Sequence, residues 1–380
     1  MWTLFKILNT ITVFASAYMW FTAPLPLGPL MLLLNIGMAL CLGFLPLKPQ
    51  LDLRTEVSAF FLLALVLWTL INETLIMGIV VLSVYTPVFY LTFLPREYQA
   101  DLLKFVTKWL AIILIPGLMI YWILLAVPLP NFGSFVFPPY VPFNNYIFFI
   151  QTTYDYGTLV RFNSIFPEPG HLAMVCEFIL LANNFNFKKQ PWLWVILTAV
   201  VFSFSLAGYI ITFTAFSLLK VNTWAKGILA SIFLGVFVFA ALNYAGGDNA
   251  LNQLIIERLK YDESKGIQGN NRYFNNTDYE FDKAMKTGDY WAGVSGKANM
   301  DLIGGAGFKI YTLQHGLIAV FIVLGFYLSL IPQRPNWHYT LVYIFIVALC
   351  FAQNAYPGWY AWLFPYVLGL NLNSKHEPSD

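Results

Sequence analysis

Charged residues are scarce in this sequence. Only 11% of its 380 residues are Asp, Glu, Lys or Arg, whereas 59% are hydrophobic. Soluble domains carry about a quarter charged residues, so the composition excludes an ordinary soluble protein and predicts an integral membrane protein. The formal net charge of +2 is too small to indicate binding to nucleic acid.

Cysteine is also rare, and its three positions, Cys41, Cys176 and Cys350, all lie in apolar segments. We therefore expect free buried thiols and no disulfide framework in the polar loops. The chain has no Cys/His set with zinc-ligand spacing, no G-x-x-x-x-G-K-[ST] phosphate loop and no G-x-S-x-G elbow. The sequence predicts no metal site and no other cofactor.

The chain does contain many long apolar runs, and a helix needs about 20 such residues to cross a bilayer. Twelve candidate spans are 5–21, 28–47, 57–72, 75–95, 105–127, 170–186, 191–204, 207–220, 227–243, 313–331, 338–353 and 357–371. One long bent helix would also fit the region around 191–220. The first segment is interpreted as a retained helix, not a signal peptide. The predicted fold class is an all-α, polytopic membrane protein, with residues 1–380 forming a single transmembrane domain.

Lysine and arginine positions predict the orientation. With both termini in the cytoplasm, the cytoplasmic loops hold Lys48, Arg54, Arg96, Lys104, Lys108, Lys188, Lys189, Lys220, Lys226 and Arg334. The short outer loops at 22–27, 71–75, 204–206 and 354–356 hold no lysine or arginine. Both long loops, 128–169 and 244–312, are therefore predicted to lie outside.

The two long loops differ in character. Loop 128–169 is rich in aromatic residues and prolines, which predicts a packed cap at the membrane surface that is partly re-entrant. Loop 244–312 is more polar, and its stretches LNQLIIERLKYD and DYEFDKAMKTGDYWAG indicate short amphipathic helices.

The stretch RFNSIFPEPGH, at 161–171, concentrates ionisable side chains in an apolar chain. Pro167 and Pro169 flank Glu168 and predict rigid, extended backbone just before a span that begins near Gly170. Ionisable groups near membrane depth usually mark a functional site. The alternative is a structural ion pair between Arg161 and Glu168 that fixes the loop to the helix.

A second polar cluster lies in and after loop 244–312. Arg258 and Arg272 are suited to phosphate, because the guanidinium group donates two parallel hydrogen bonds and stays charged. His315 is placed at the outer mouth of the tenth span, where it is either functional or only a satisfied interfacial residue. Arginines and aromatic rings at an outer membrane surface suit a lipid-linked pyrophosphate that carries a sugar.

These residues resemble the Wzy-type polysaccharide polymerases of the O-antigen ligase and polymerase superfamily, which are GT-C-like membrane glycosyltransferases. The resemblance rests on RFNSIFPEPGHLA, on the serine-containing SFSLAGYIITF, on Arg258 with Gly269 eleven positions later, and on GGAGFKIYTLQHGLIAV. It implies an enzyme of the bacterial inner membrane that joins undecaprenyl-pyrophosphate-linked repeat units at the periplasmic face without metal or nucleotide. A chain-length regulator and a flippase are the implied protein partners.

Residue roles follow as hypotheses from the resemblance and from the needs of glycosyl transfer. Arg161, Arg258 and Arg272 are assigned to the pyrophosphate. Glu168 is the preferred base and His171 its polar partner, but a nearby arginine weakens a carboxylate as a base, so His315 is the rival.

Three other functions stay open. A ligase of the same superfamily would transfer the polymer to lipid A core. A transporter or flippase of lipid-linked glycans would show repeated halves or a site near the midplane, and no repeat is seen. A membrane-bound acyltransferase would be expected to have a histidine deep in a span.

Overall fold

The computed structural model describes residues 1–17, 19–22, 25–46, 53–137, 141–152, 161–220, 261–262, 266–267, 275–294, 306–354 and 357–374. In these ranges the chain is mainly helical. It divides into two compact units. The first unit comprises Met1–Val106 and Arg272–Asp380, and the second comprises Thr107–Asn271.

Thirteen helices lie in the described ranges. They are α1 (Trp2–Ser16), α2 (Leu27–Gly43), α3 (Leu53–Asn72), α4 (Leu75–Tyr85), α5 (Pro87–Phe93), α6 (Arg96–Ala126), α7 (Pro169–Ala182), α8 (Leu193–Phe202), α9 (Leu206–Lys220), α10 (Asn275–Thr287), α11 (Gly307–Ser329), α12 (Trp337–Gln353) and α13 (Tyr360–Leu372). A single 3₁₀ turn, Asp289–Trp291, follows α10.

The predicted spans agree in position with these helices. Every predicted span outside 221–260 coincides with a helix, or with α4 and α5 together for 75–95. Among the residues that the structure describes, four helical segments are long and apolar enough to cross a bilayer: Leu53–Asn72, Leu75–Phe93, Arg96–Ala126 and Gly307–Ser329. These segments indicate a membrane protein. The predicted span 227–243 lies outside the described residues, and twelve crossings stay a prediction.

The region around 191–220 forms two helices, so the alternative of one long bent helix is wrong. Phe204 has a φ of 45° between α8 and α9, which a continuing right-handed helix does not permit. Ser205 then caps α9, because its hydroxyl accepts a hydrogen bond from the backbone N–H of Gly208 at 3.2 Å.

The described structure is mostly helical, as expected, and both long loops add a few short strands. In the first, β1 (Ser134–Phe137), β2 (Val141–Asn145) and β3 (Ile150–Thr152) form an antiparallel sheet in that order. In the second, β4 (Tyr261–Asp262) pairs with β5 (Gly266–Ile267). Backbone groups outside the helices must still find hydrogen-bond partners, and strand pairing supplies them.

The second long loop also contains one of its two predicted helices. The stretch DYEFDKAMKTGDYWAG lies in α10 and the 3₁₀ turn. The other predicted helix, LNQLIIERLKYD, lies outside the described residues except for β4.

The core of the first unit is α13, in which every residue from 360 to 370 is buried. A helix that is apolar on all sides is buried on all sides. Two polar contacts fix it to α1: the Tyr360 hydroxyl donates to Asn9 Oδ1 at 2.6 Å, and the Ala361 N–H donates to Ser16 Oγ at 2.9 Å. By contrast, α2 leaves Leu33 and Leu40 more than half exposed, as expected for side chains that face lipid.

The core of the second unit combines α7 with the aromatic loop. Residues 172–182 of α7 are all buried. The Tyr121 ring of α6 lies 5.7, 5.5 and 5.9 Å, between centroids, from the rings of Phe149, Phe162 and Phe202. Phe149 and Phe162 belong to the aromatic loop and are buried, so the predicted packing of the loop is confirmed at these two positions.

Candidate active site

The opening part of RFNSIFPEPGH forms a rigid loop in the second unit. The side chains of Phe162, Ile165 and Phe166 are buried. The Asn163 side-chain amide donates to the Phe166 carbonyl at 2.8 Å, and Ser164 has a φ of 51°. A non-glycine residue in this conformation persists only where its surroundings hold it. The loop therefore presents its ionisable neighbours from a fixed backbone.

Glu168 and His171 lie at the start of α7, as the flanking prolines predict. Glu168 has extended backbone, with φ −134° and ψ 143°, and Pro169 is the first helical residue. The Glu168 Oε2 atom lies 3.7 Å from His171 Nε2, and the two side chains are 63% and 17% exposed. The structure thus brings these two predicted site residues together at a largely exposed carboxylate.

Arg161 contacts the end of α8 instead of forming the ion pair with Glu168 that was the structural alternative. Its Nε–H donates to the backbone carbonyl of Ser203 at 3.0 Å, just after the end of α8. Among the ion pairs of the described residues there is none between Arg161 and Glu168, and Glu168 pairs with His171 instead. Arg161 therefore joins the RFNSIFPEPGH loop to the junction of α8 and α9, and both segments are among those on which the family resemblance rests.

Arg258 and Arg272, the other two arginines assigned to pyrophosphate, lie outside the described residues. Their predicted roles stay predictions.

A second polar arrangement, in the first unit, is centred on His315. Its Nδ1 atom lies 2.5 Å from Oε1 of Glu73, a residue that follows the last turn of α3. The Glu73 side chain is 8% exposed and that of His315 is 23% exposed. A carboxylate on one ring nitrogen fixes the orientation and tautomer of a histidine, and the other nitrogen then serves as an acceptor. The pair is suited to general-base catalysis at Nε2.

His315 lies at a kink within α11, not at the mouth of a span. The helix begins at Gly307, six residues before the predicted start, and its backbone breaks at Gly316 with φ 84° and ψ 161°. The His315 carbonyl accepts a hydrogen bond from the Trp68 indole N–H at 2.8 Å. This bond to α3 satisfies a carbonyl at the break in the helix.

A close approach of the 3₁₀ turn explains the glycine at the kink. A Cβ atom on Gly316 would lie 2.4 Å from the Trp291 carbonyl oxygen and 2.6 Å from the Ala292 carbonyl carbon. Only glycine combines this space with a positive φ. On the other side, the Tyr311 ring lies 4.5 Å from the His315 ring, so His315 is held by contacts from α3 and α11.

Lys309 anchors α10 to the first part of α11. Its ammonium group pairs with the Asp278 carboxylate and lies 5.3 Å from the centre of the Phe281 ring. This contact holds the polar helix α10 beside the helix that carries His315.

Glu177 is an ionisable residue that none of these arrangements uses. It is 2% exposed, and within the described part of the chain neither carboxyl oxygen has a hydrogen-bond partner. A Cβ on Gly208 of α9 would lie 3.0 Å from its Oε1 atom, so glycine at 208 makes room for the carboxyl group.

Sequence reasoning missed Glu73, because an acid in a short loop between spans is unremarkable by itself. The only available signal was that Glu73 and His315 were both predicted to lie at outer ends of spans.

Comparison with known proteins adds no further assignment: no family model, no curated protein and no solved structure matches the chain.

Proposed function

We propose that this chain is a membrane glycosyltransferase that polymerises undecaprenyl-pyrophosphate-linked oligosaccharide repeat units, as in O-antigen, capsule or exopolysaccharide synthesis. The observation that carries the proposal is the Glu73–His315 pair. A glycosyl transfer to a sugar hydroxyl needs a base, and a carboxylate-oriented histidine is a common protein base near neutral pH.

The proposed reaction uses His315 on the acceptor. The acceptor hydroxyl gives its proton to Nε2 of His315 while its oxygen bonds to the anomeric carbon of the donor repeat unit. The bond from that carbon to the pyrophosphate oxygen breaks, and undecaprenyl pyrophosphate leaves with the electron pair. The roles of Arg161, Arg258 and Arg272 toward the negative charge of the pyrophosphate stay predictions from the sequence.

His315 is favoured over Glu168 as the base. The Glu168 side chain is 63% exposed and its partner is a histidine at 3.7 Å, an arrangement typical of a solvated ion pair at a helix start. His315 instead has a buried carboxylate on Nδ1 and a second anchor through its carbonyl. Preorganisation of this kind is what a base requires.

The proposed location is the bacterial inner membrane, with both termini in the cytoplasm and the chemistry at the periplasmic face. Lysine and arginine positions predict that loop 71–75 and the start of α11 lie on the outer side. Glu73 lies in that loop, and His315 contacts it from the kink in the first half of α11, so their contact supports placing the pair toward the outer side.

The test is reconstitution of the purified protein in nanodiscs with a lipid-linked repeat unit and no nucleotide. We expect a ladder of polymers, and we expect His315→Ala to lower the initial rate by about 10²-fold or more. The matched control is His338→Ala, which removes an exposed histidine from the same unit. A ladder that survives His315→Ala unchanged would exclude His315 as the base, and movement of the lipid between leaflets without any ladder would indicate a transporter.

A further inference from the structure

The 3₁₀ turn Asp289–Trp291 is docked tightly against the kink that carries His315. The Val294 N–H donates to the Leu313 carbonyl at 2.7 Å. Gly293, with φ 82°, approaches the Gln314 carbonyl so closely that a Cβ there would lie 2.9 Å from its oxygen. Gly316 approaches Trp291 in the same way. Gly293 and Gly316 therefore allow direct contact between the backbone of the 3₁₀ turn and the backbone of α11. The position of the turn is therefore fixed relative to His315.

This turn displays a pair of aromatic rings. The Tyr290 and Trp291 rings lie 4.9 Å apart between centroids, with 33° between their planes. The Trp291 side chain is 48% exposed, and Tyr290 is half-buried. Trp291 thus combines an exposed ring with a firmly anchored backbone.

The surroundings of the pair are polar, which argues against a membrane anchor. The preceding helix, α10, carries the ionisable residues Asp278, Glu280, Asp282, Lys283 and Lys286. Asp289, next to Tyr290, has a carboxylate that accepts a hydrogen bond from the Thr287 hydroxyl at 2.7 Å. An aromatic face beside carboxylate and hydroxyl groups suits a ligand with both a C–H face and hydroxyl groups.

We propose that Trp291, supported by Tyr290, is the platform on which a sugar ring of the acceptor glycan stacks beside His315. A pyranose ring presents axial C–H groups to an aromatic face and hydroxyl groups to polar neighbours such as Asp289. The inference rests on the proposed function, because it names the part of the acceptor that the same site binds. The proposal requires the stacked ring to bring a neighbouring hydroxyl toward the His315 imidazole.

The test measures glycan binding separately from transfer. Full-length protein in nanodiscs would be titrated with methyl pyranosides of glucose, galactose and N-acetylglucosamine, with binding followed by saturation-transfer NMR. Trp291→Leu keeps an apolar side chain and removes the ring, so we expect it to weaken binding by about tenfold. Trp291→Phe should retain part of the affinity. The control is Trp337→Leu, an exposed tryptophan of the same unit at the start of α12.

Each outcome has one meaning. Weaker binding in Trp291→Leu but not in Trp337→Leu supports the platform. Equal binding in Trp291→Leu and the unchanged protein, equal loss in both variants, or no binding of any pyranoside overturns it. If Trp291→Leu weakens binding but the unchanged protein makes no ladder, the platform stands and the polymerase proposal fails. If the ladder forms and Trp291→Leu changes neither binding nor the KM for the acceptor, the polymerase stands and the platform fails.

Discussion

Glu73 and His315 are 242 residues apart in the sequence, and their side chains meet at 2.5 Å in the first unit. Glu73 follows α3, and His315 lies where α11 breaks. The indole of Trp68, one turn before the end of α3, holds the His315 carbonyl as well. One end of α3 thus determines both the position of the histidine backbone and the orientation of its ring.

Replacement of Glu73 by glutamine tests this orientation. An amide no longer accepts from Nδ1–H with a full negative charge, and its NH₂ group can favour the opposite tautomer. We expect Glu73→Gln to lower the maximal rate of polymer formation by about 10-fold to 100-fold, with a smaller effect on the KM for the acceptor. The initial rate at saturating acceptor measures this.

The control for that variant is Glu97→Gln, which changes an exposed acid in the first turn of α6. It should leave the rate unchanged. Full activity in Glu73→Gln would show that His315 needs no carboxylate partner, and the base assignment would lose its main support.

The kink at Gly316 gives a second prediction, on stability. In Gly316→Ala, the new methyl group would meet the Trp291 carbonyl at 2.4 Å while φ stays at 84°. Backbone cannot yield as a flexible side chain does, so we expect a loss of about 2–4 kcal/mol. Thermal unfolding of the purified protein in nanodiscs would show it as a lower midpoint.

Gly43→Ala is the matched control, because nothing lies within 4 Å of a Cβ at Gly43, the last residue of α2. We expect no decrease in its midpoint. A Gly316→Ala protein as stable as the unchanged one would mean that the turn at Asp289–Trp291 is free to move away from the kink.

The helices could be predicted from the sequence, and the reason is physical. A bilayer demands long apolar segments whose backbone bonds are satisfied internally, so apolar length alone located α3 and α6. The start of α7 was predictable for a different reason: Pro169 is the first helical residue, and proline is favoured at that position.

The candidate site depended on contacts that apolar length does not encode. The Glu73–His315 pair, the hydrogen bond from Arg161 to Ser203 and the glycine kink at Gly316 all arise from packing between distant segments. The strands of the aromatic loop were missed for another reason: β2 contains Pro142 and two asparagines, which are residues depleted in strands.

Glu168→Gln decides between the two candidate bases. The carboxylate is largely exposed and faces His171, and solvated ion pairs contribute little. We expect the polymerisation rate of this variant to stay within about threefold of the unchanged protein, while His315→Ala loses far more. Time courses of the ladder for both variants, run in parallel at equal protein, measure the difference.

The opposite pattern would restore the preference drawn from the sequence. If Glu168→Gln abolished the ladder and His315→Ala preserved it, Glu168 would be the base, and the Glu73–His315 pair would be a structural contact between α3 and α11.

Glu177 provides the last prediction. Burying a carboxyl group with no hydrogen-bond partner costs free energy whichever protonation state it adopts. Methionine has a similar length and no such cost, so we expect Glu177→Met to raise stability by about 1–3 kcal/mol, seen as a higher midpoint of thermal unfolding.

The control is Glu56→Met, at an exposed position in the first turn of α3. Its midpoint of thermal unfolding should change little. A higher midpoint with a normal ladder would mean that the Glu177 carboxyl group destabilises the protein and is not needed for polymer formation. A lower midpoint would mean that the carboxyl group has a stabilising role despite its missing partners, and the destabilising contribution inferred from its burial would be wrong.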